Sequence, residues 1–192
     1  MGEKKLDRSL ISVELNSSCR GFELLQELSA FSSLRILEAR AMGQSCFWIL
    51  AEIRADQAEF ALAKCRETGA LSESVSDVAL IIDPTEAMLE AWFSLKVESP
   101  GAALSVLETE TLSGLFDLVN EIILRCSLVI LEMKALRGQG CGGYALLSGS
   151  VETCQKAAEA ARARLTEQGR QGVSVCIRNP TRTLIDFISL QS

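Results

Sequence analysis

The chain is written twice, and that constrains its fold more than any other feature. Ser12-Val13-Glu14-Leu15 is echoed by Ser105-Val106-Leu107-Glu108, and the run Leu34 to Ala41 by Leu128 to Ala135. A Gly-Gln step follows each time, Gly43-Gln44-Ser45-Cys46 and then Gly138-Gln139-Gly140-Cys141. Apolar blocks come next, Phe47 to Leu50 and Tyr144 to Leu147. The spacing is about 95 residues, too long for a solenoid repeat and right for a small domain. The seam falls at Lys96 to Gly101, where Pro100 and Gly101 interrupt two apolar segments. Two domains are therefore expected, 1–98 and 99–192.

Each half carries the same succession of periodicities. Leu10 to Leu15 and Ala103 to Glu108 read as opening strands. Phe22, Leu25, Leu28 and Phe31 then recur near helical spacing, as do Leu115, Leu118 and Ile122. Leu34 to Met42 and Leu128 to Leu136 read as second strands, with Ile36 and Glu38 on one face and Leu37 and Ala39 on the other. Glycine turns return the chain as Cys46 to Glu52 and Gly143 to Ser148. Asp56 to Thr68 and Ser150 to Gln168 are rich in good helix formers, with Ser150 placed to cap and Gly169 to stop the latter. Val78 to Ile82 and Val173 to Ile177 are last strands, ended by Asp83-Pro84 and Asn179-Pro180. Closing amphipathic helices follow over 85–95 and 181–190, each directly after a proline placed to start it. The order β-α-β-β-α-β-α predicts an α+β fold, a ferredoxin-like βαββαβ unit with an added C-terminal helix, made twice.

Composition excludes several function classes. Hydrophobic residues make up 48% and charged residues 23%, which is a globular balance. The most apolar run, Ile122 to Met133, is broken by Arg125 and Glu132 and is too short to span a bilayer. A net charge of −6 without a dense basic cluster argues against nucleic acid as a partner. Histidine is absent, which removes the commonest general base and zinc ligand, so no enzyme is expected. Seven cysteines are scattered without a CxxC, and the charged opening Met1 to Arg8 has no apolar leader. Reduced thiols in a cytoplasmic protein are the expectation.

Taken in order, these segments resemble the bacterial microcompartment (BMC) shell domain. Val13 to Phe22 resembles the opening of the family's tandem members, and Val106 to Thr109 their Glu-Thr opening. Met133 to Gly149 resembles the Gly-rich loop between the second and third strands with its strand ending in Ser-Gly. Val151 to Arg164 resembles the Ala-rich helix, and Val175 to Pro180 the last strand. The resemblance implies two tandem BMC domains and a homotrimer that forms a pseudohexameric tile. It also implies other shell proteins as partners, a place in the microcompartment shell and a central pore passing metabolites or electrons. The implied pore rim is Met42, Gly43, Gln44 and Ser45 from the first loop and Gly138, Gln139, Gly140, Cys141 and Gly142 from the second. Glycine suits such a rim because backbone without a side chain can approach an axis closely. The lysine that single-domain members carry after the first strand is absent, with Arg20 in its place in one half and Ser113-Gly114 in the other.

Some tandem members hold an iron–sulfur cluster at the trimer axis. The corresponding residue here is Cys141, inside its loop, or Cys46, at a strand start. The proline expected beside that cysteine is missing, so plain thiols and no resident cofactor or metal are expected. Glu38 and Glu132 read as solvated or interface carboxylates rather than a catalytic pair. Arg40, Lys134 and Arg137 read as a basic collar for anionic metabolites or as a salt-bridged edge. Phe47, Trp48, Trp92 and Phe93 read as core or subunit contact. A ferredoxin-like metabolite-binding regulator is the alternative from another class.

Overall fold

A computed structural model describes residues 8–43, 46–67, 73–95, 99–136 and 141–189. Strand β1 (Arg8–Leu15) leads into helix α1 (Ser18–Ser29), strands β2 (Leu34–Met42) and β3 (Cys46–Arg54), helix α2 (Ala58–Glu67), strand β4 (Val75–Ile82) and helix α3 (Glu86–Trp92). The succession then repeats. Strand β5 (Ala103–Thr109) is followed by helix α4 (Leu112–Arg125), strands β6 (Val129–Ala135) and β7 (Gly143–Gly149), helix α5 (Val151–Gln168), strand β8 (Gly172–Arg178) and helix α6 (Arg182–Ser189). Both sheets have four antiparallel strands in one order, β2-β3-β1-β4 and β6-β7-β5-β8. This is the ferredoxin-like order, with the opening strand inside the sheet.

Register aligns the two halves more finely than the sequence does. Glu14 lies opposite Trp48 and Asp77, and Glu108 opposite Tyr144 and Val173. Glu14 therefore corresponds to Glu108, and the sequence match that set it against Leu107 slips by one residue. A slip of that size would swap the faces of a strand. Pairing also shifts between Ile36 and Glu38, and again between Ile130 and Glu132. The strict alternation expected across Ile36 to Ala39 fails for that reason: a bulge places an extra residue and re-aims the strand.

Local chemistry explains where elements start and stop. Ser17 Oγ accepts the Arg20 N–H at the head of α1, and Thr111 Oγ1 accepts the Gly114 N–H at the head of α4. These bonds satisfy N–H groups that the helix cannot pair. Ser150 Oγ likewise accepts the Thr153 N–H at 3.1 Å, and Gly169 ends α5 at φ 64°. Asp83 and Asn179 both take left-handed backbone, at φ 50° and 49°, a conformation short polar side chains tolerate. Pro84 and Pro180 stand just ahead of α3 and α6, as the sequence reading placed them.

Contacts divide the chain into two compact units. The first comprises residues 1–84 with 111–117 and 137–141; the second comprises 85–110, 118–136 and 142–192. The β strands still fall four on either side of the expected 98/99 seam. In the first unit Ile11, Val13 and Leu15 of β1 pack with Phe47, Ile49 and Ile53 of β3 beneath Leu24 and Leu28 of α1 and Ala58, Ala61 and Cys65 of α2. In the second, α5 buries Cys154, Ala157, Ala158, Ala161 and Leu165, while α6 sets Ile188 and Leu184 against Leu104, Leu131 and Ile177.

Helix α1 lies so close to β3 that a Cβ on Gly21 would overlap the Phe47 ring. Gly21→Ala is expected to cost about 1–3 kcal/mol by overpacking, despite alanine's better helix propensity. A urea midpoint lowered without change of slope would show it.

Candidate functional site

The two sheets differ on one face, and that difference defines the site. On β1, β3 and β4 the outward residues Ser12, Glu14, Trp48 and Leu50 are buried, and Ala79 is nearly so. The start of α4, residues that belong to the first unit, lies over Ser12, Glu14 and Trp48. Ser113 Oγ lies 2.9 Å from Ser12 Oγ, and the Ser113 N–H donates to Glu14 Oε1 at 2.8 Å. Thr111 Oγ1 donates to Asp77 Oδ2 at 2.6 Å. The Phe116 ring stands 5.7 Å from that of Trp48, whose Nε1–H donates to Ser12 Oγ at 2.8 Å.

Glu14 is 1% exposed. It sits at the N-terminus of α4, where unpaired N–H groups and the helix dipole favour an anion. Burial outweighs that help and pushes its carboxyl up to about 8; the Ser113 N–H pulls it down, and neighbouring Asp77 adds to the rise. A folded carboxyl above its unfolded value of about 4.3 binds its proton more tightly in the native state. Stability is therefore full below about pH 4 and falls as pH rises towards 8. In the oxidised protein, Glu14→Gln is expected to flatten that decline, read from urea midpoints between pH 5 and 9. An unchanged slope would contradict it.

On β5, β7 and β8 the matching residues are Val106, Glu108, Tyr144, Leu146, Val173 and Val175. Here Glu108 is exposed and Val173 is 59% exposed, with Val175 also open. The segment equivalent to Thr111, Ser113 and Phe116 is Ser17, Cys19 and Phe22, because Ser17 and Thr111 make the same capping bond. Phe116 is 0% exposed, whereas Phe22 is 62% exposed and touches the Phe47 ring from outside. Cys19 is exposed as well. One half thus has its sheet face covered and its α1 start largely exposed; the other has its α4 start covered and its sheet face open at Glu108, Val173 and Val175, while Leu146 packs with the α6 cluster. Sequence periodicity missed this face, because it marks strand faces as apolar or polar and not as covered or open.

The loop residues are placed in part. Met42 is nearly buried at the end of β2, and Gly43 turns the chain at φ 52°. Gln44, Ser45, Gly138, Gln139 and Gly140 lie outside the described residues, as does Arg137. Cys141 and Gly142 are buried. Cys141 bridges to Thr111, and a Cβ on Gly142 would stand 2.9 Å from the Thr109 carbonyl oxygen.

Cys46 and Cys141 are joined as a disulfide with their Cα atoms 6.3 Å apart, which corrects the expectation that all seven thiols are free. Two halves of similar fold set two loop cysteines within bonding reach, a proximity that their separation of 95 residues conceals. Cys19, Cys65, Cys126, Cys154 and Cys176 are free.

The charged candidates are paired. Arg40 lies 3.0 Å from Glu38 and 5.8 Å over the Trp48 ring. Lys134 pairs with Glu132, whose other oxygen accepts the Tyr144 hydroxyl at 2.6 Å. Those positions match between halves, so they read as a salt-bridged edge rather than a collar of free cations. Phe47 and Trp48 are core; Trp92 is nearly buried and Phe93 is 39% exposed. Among the described residues no helix is long and apolar enough to cross a membrane.

No family model and no curated protein matches the chain. Among solved structures, a microcompartments protein from Desulfitobacterium hafniense superposes with a TM-score of 0.79 at 20% identity, over 92% of this chain and 97% of that one. A candidate glycine cleavage system transcriptional repressor (14% identity, 90% and 98% covered) reaches only 0.31, and an unknown protein from Galdieria sulphuraria (10%, 90% and 98%) only 0.30. The first likeness shows a BMC-type fold; the other two are too distant to carry an argument.

Proposed function

We propose that the chain is a structural shell protein of a bacterial microcompartment, in which two tandem BMC domains per chain and three chains per ring make a pseudohexameric tile. It is not an enzyme on this reading. It works in the cytoplasm beside other shell proteins, and metabolites cross a pore rimmed by the 42–45 and 138–142 loops.

The observation that carries this reading is the unequal covering of two equivalent faces. In each chain the start of α4 covers Ser12, Glu14 and Trp48, whereas the equivalent start of α1 leaves Cys19 and Phe22 exposed. The equivalent face is only partly covered, with Val106 and Tyr144 half-buried and Glu108 and Val173 exposed. A second copy satisfies both, with its Phe22 on Tyr144 and its α1 N–H groups on Glu108. Such a contact joins unlike surfaces, and heterologous contacts close into rings when the rotation permits. Three chains as the closed number is what the sequence resemblance to tandem shell proteins implies.

Light scattering of the purified chain at native salt is the test. A mass of three chains is expected. A single-chain mass at micromolar concentration would contradict the tile.

A further inference from the structure

We propose that Glu14, Cys46 and Cys141 form a three-ligand site for a thiophilic divalent cation of the zinc class, opened by reduction of the Cys46–Cys141 disulfide. The inference holds whether or not the chain forms a ring, because all three residues belong to the first compact unit.

The donor atoms of these side chains, two sulfurs and a carboxylate oxygen, lie within 4.8 Å of one another. All three residues are buried, at 1%, 6% and 3% exposure in that order. Strand pairing places each of them: Glu14 is on an inner strand, Cys46 opens β3, and Cys141 makes a β-bridge with Thr111. Zinc takes thiolates at about 2.3 Å, so a tetrahedral ion would hold the two sulfurs about 3.7 Å apart. Cα atoms 6.3 Å apart allow that by side-chain rotation alone. Glu14 accepts the Ser113 N–H with one oxygen, and a carboxylate has about four lone-pair directions, which leaves room for a metal bond.

Charge points the same way: Asp77 is the ladder partner of Glu14 on the adjacent strand, and a divalent ion on Glu14 would offset the charge of two neighbouring carboxylates. Mixed sulfur and oxygen donors select zinc over monovalent copper, which prefers sulfur alone. Three protein ligands leave a fourth position for water or a small anion, the arrangement of an open zinc site.

The redox step balances with a dithiol reductant. Its two sulfurs take the place of the protein pair, passing two electrons and two protons. Cys46 and Cys141 become thiols and the reductant becomes a cyclic disulfide. Metal binding then releases the thiol protons to solvent. Disulfide and metal are mutually exclusive occupants of the same sulfurs.

The test uses the full chain, reduced with a dithiol under nitrogen and desalted, then titrated with cobalt as a spectroscopic probe. One equivalent per chain is expected, with a thiolate-to-cobalt charge-transfer band in the near ultraviolet that zinc abolishes. Oxidised protein should show no band. Cys46→Ser and Cys141→Ser should each remove it, and Glu14→Gln should weaken uptake at least tenfold. Replacing Cys19, Cys126 and Cys176 together by serine should leave it intact. Equal uptake by oxidised and reduced chains, or a band that survives Cys46→Ser with Cys141→Ser, would overturn the site. Because oxidised and reduced wild type differ by no substitution, the comparison stands even if a variant fails to fold.

Discussion

Phe22→Asp is expected to abolish the ring and leave a folded single chain. Phe22 is a large apolar side chain left 62% exposed, while the equivalent Phe116 is fully buried. In the proposed ring its side chain lies on Tyr144 of the next copy. A carboxylate there would be desolvated without a partner, at roughly 3 kcal/mol or more per contact, over 100-fold in each association step. Loss within the chain is smaller, because Phe22 meets Phe47 only from the solvent side. The measurement is native mass together with a urea midpoint. A single-chain mass with a midpoint shift of about 1 kcal/mol or less is the expected pair. Adding Tyr144→Lys should restore part of the ring by supplying the missing charge. Retention of the wild-type mass by Phe22→Asp alone would remove Phe22 from the contact.

Trp48→Ala carries the second large effect, and it acts on the chain itself. Trp48 is fully buried, donates to Ser12 Oγ, stacks near Phe116 and lies under Arg40. Its removal leaves a cavity and frees Ser12 from one partner, at a cost of about 3–5 kcal/mol. Urea unfolding with an unchanged slope would measure it. Tyr144, its counterpart in the second sheet, is only half-buried. Tyr144→Ala should therefore cost the isolated chain far less and weaken association instead. Similar costs in both positions would mean that the two faces are alike.

This contrast also marks how far the sequence could be read. Strand order and helix placement were legible because period-two and period-3.6 patterns recur in sequence, and capping at Ser150 and Gly169 is local chemistry. The slip between Glu14 and Leu107 arose because short apolar strings match at several offsets, and only ladder partners fix the register. The bulges at Leu37 and Leu131 carry no sequence mark. Pairing of Cys46 with Cys141 depends on two loops meeting, which spacing alone does not encode. The covered and open sheet faces were invisible for the same reason: Glu14 and Glu108 are the same residue type, and what differs is whether a helix start lies over them.

A three-dimensional reconstruction of the particle in solution by electron cryomicroscopy would probe the claim most directly. Three copies related by a three-fold axis are predicted, with each Phe22 ring against Tyr144 of its neighbour and the N–H groups opening α1 directed at Glu108. A particle in which the strand face bearing Val173 and Val175 remains in contact with solvent, or a two-fold pair joined through like surfaces, would contradict it.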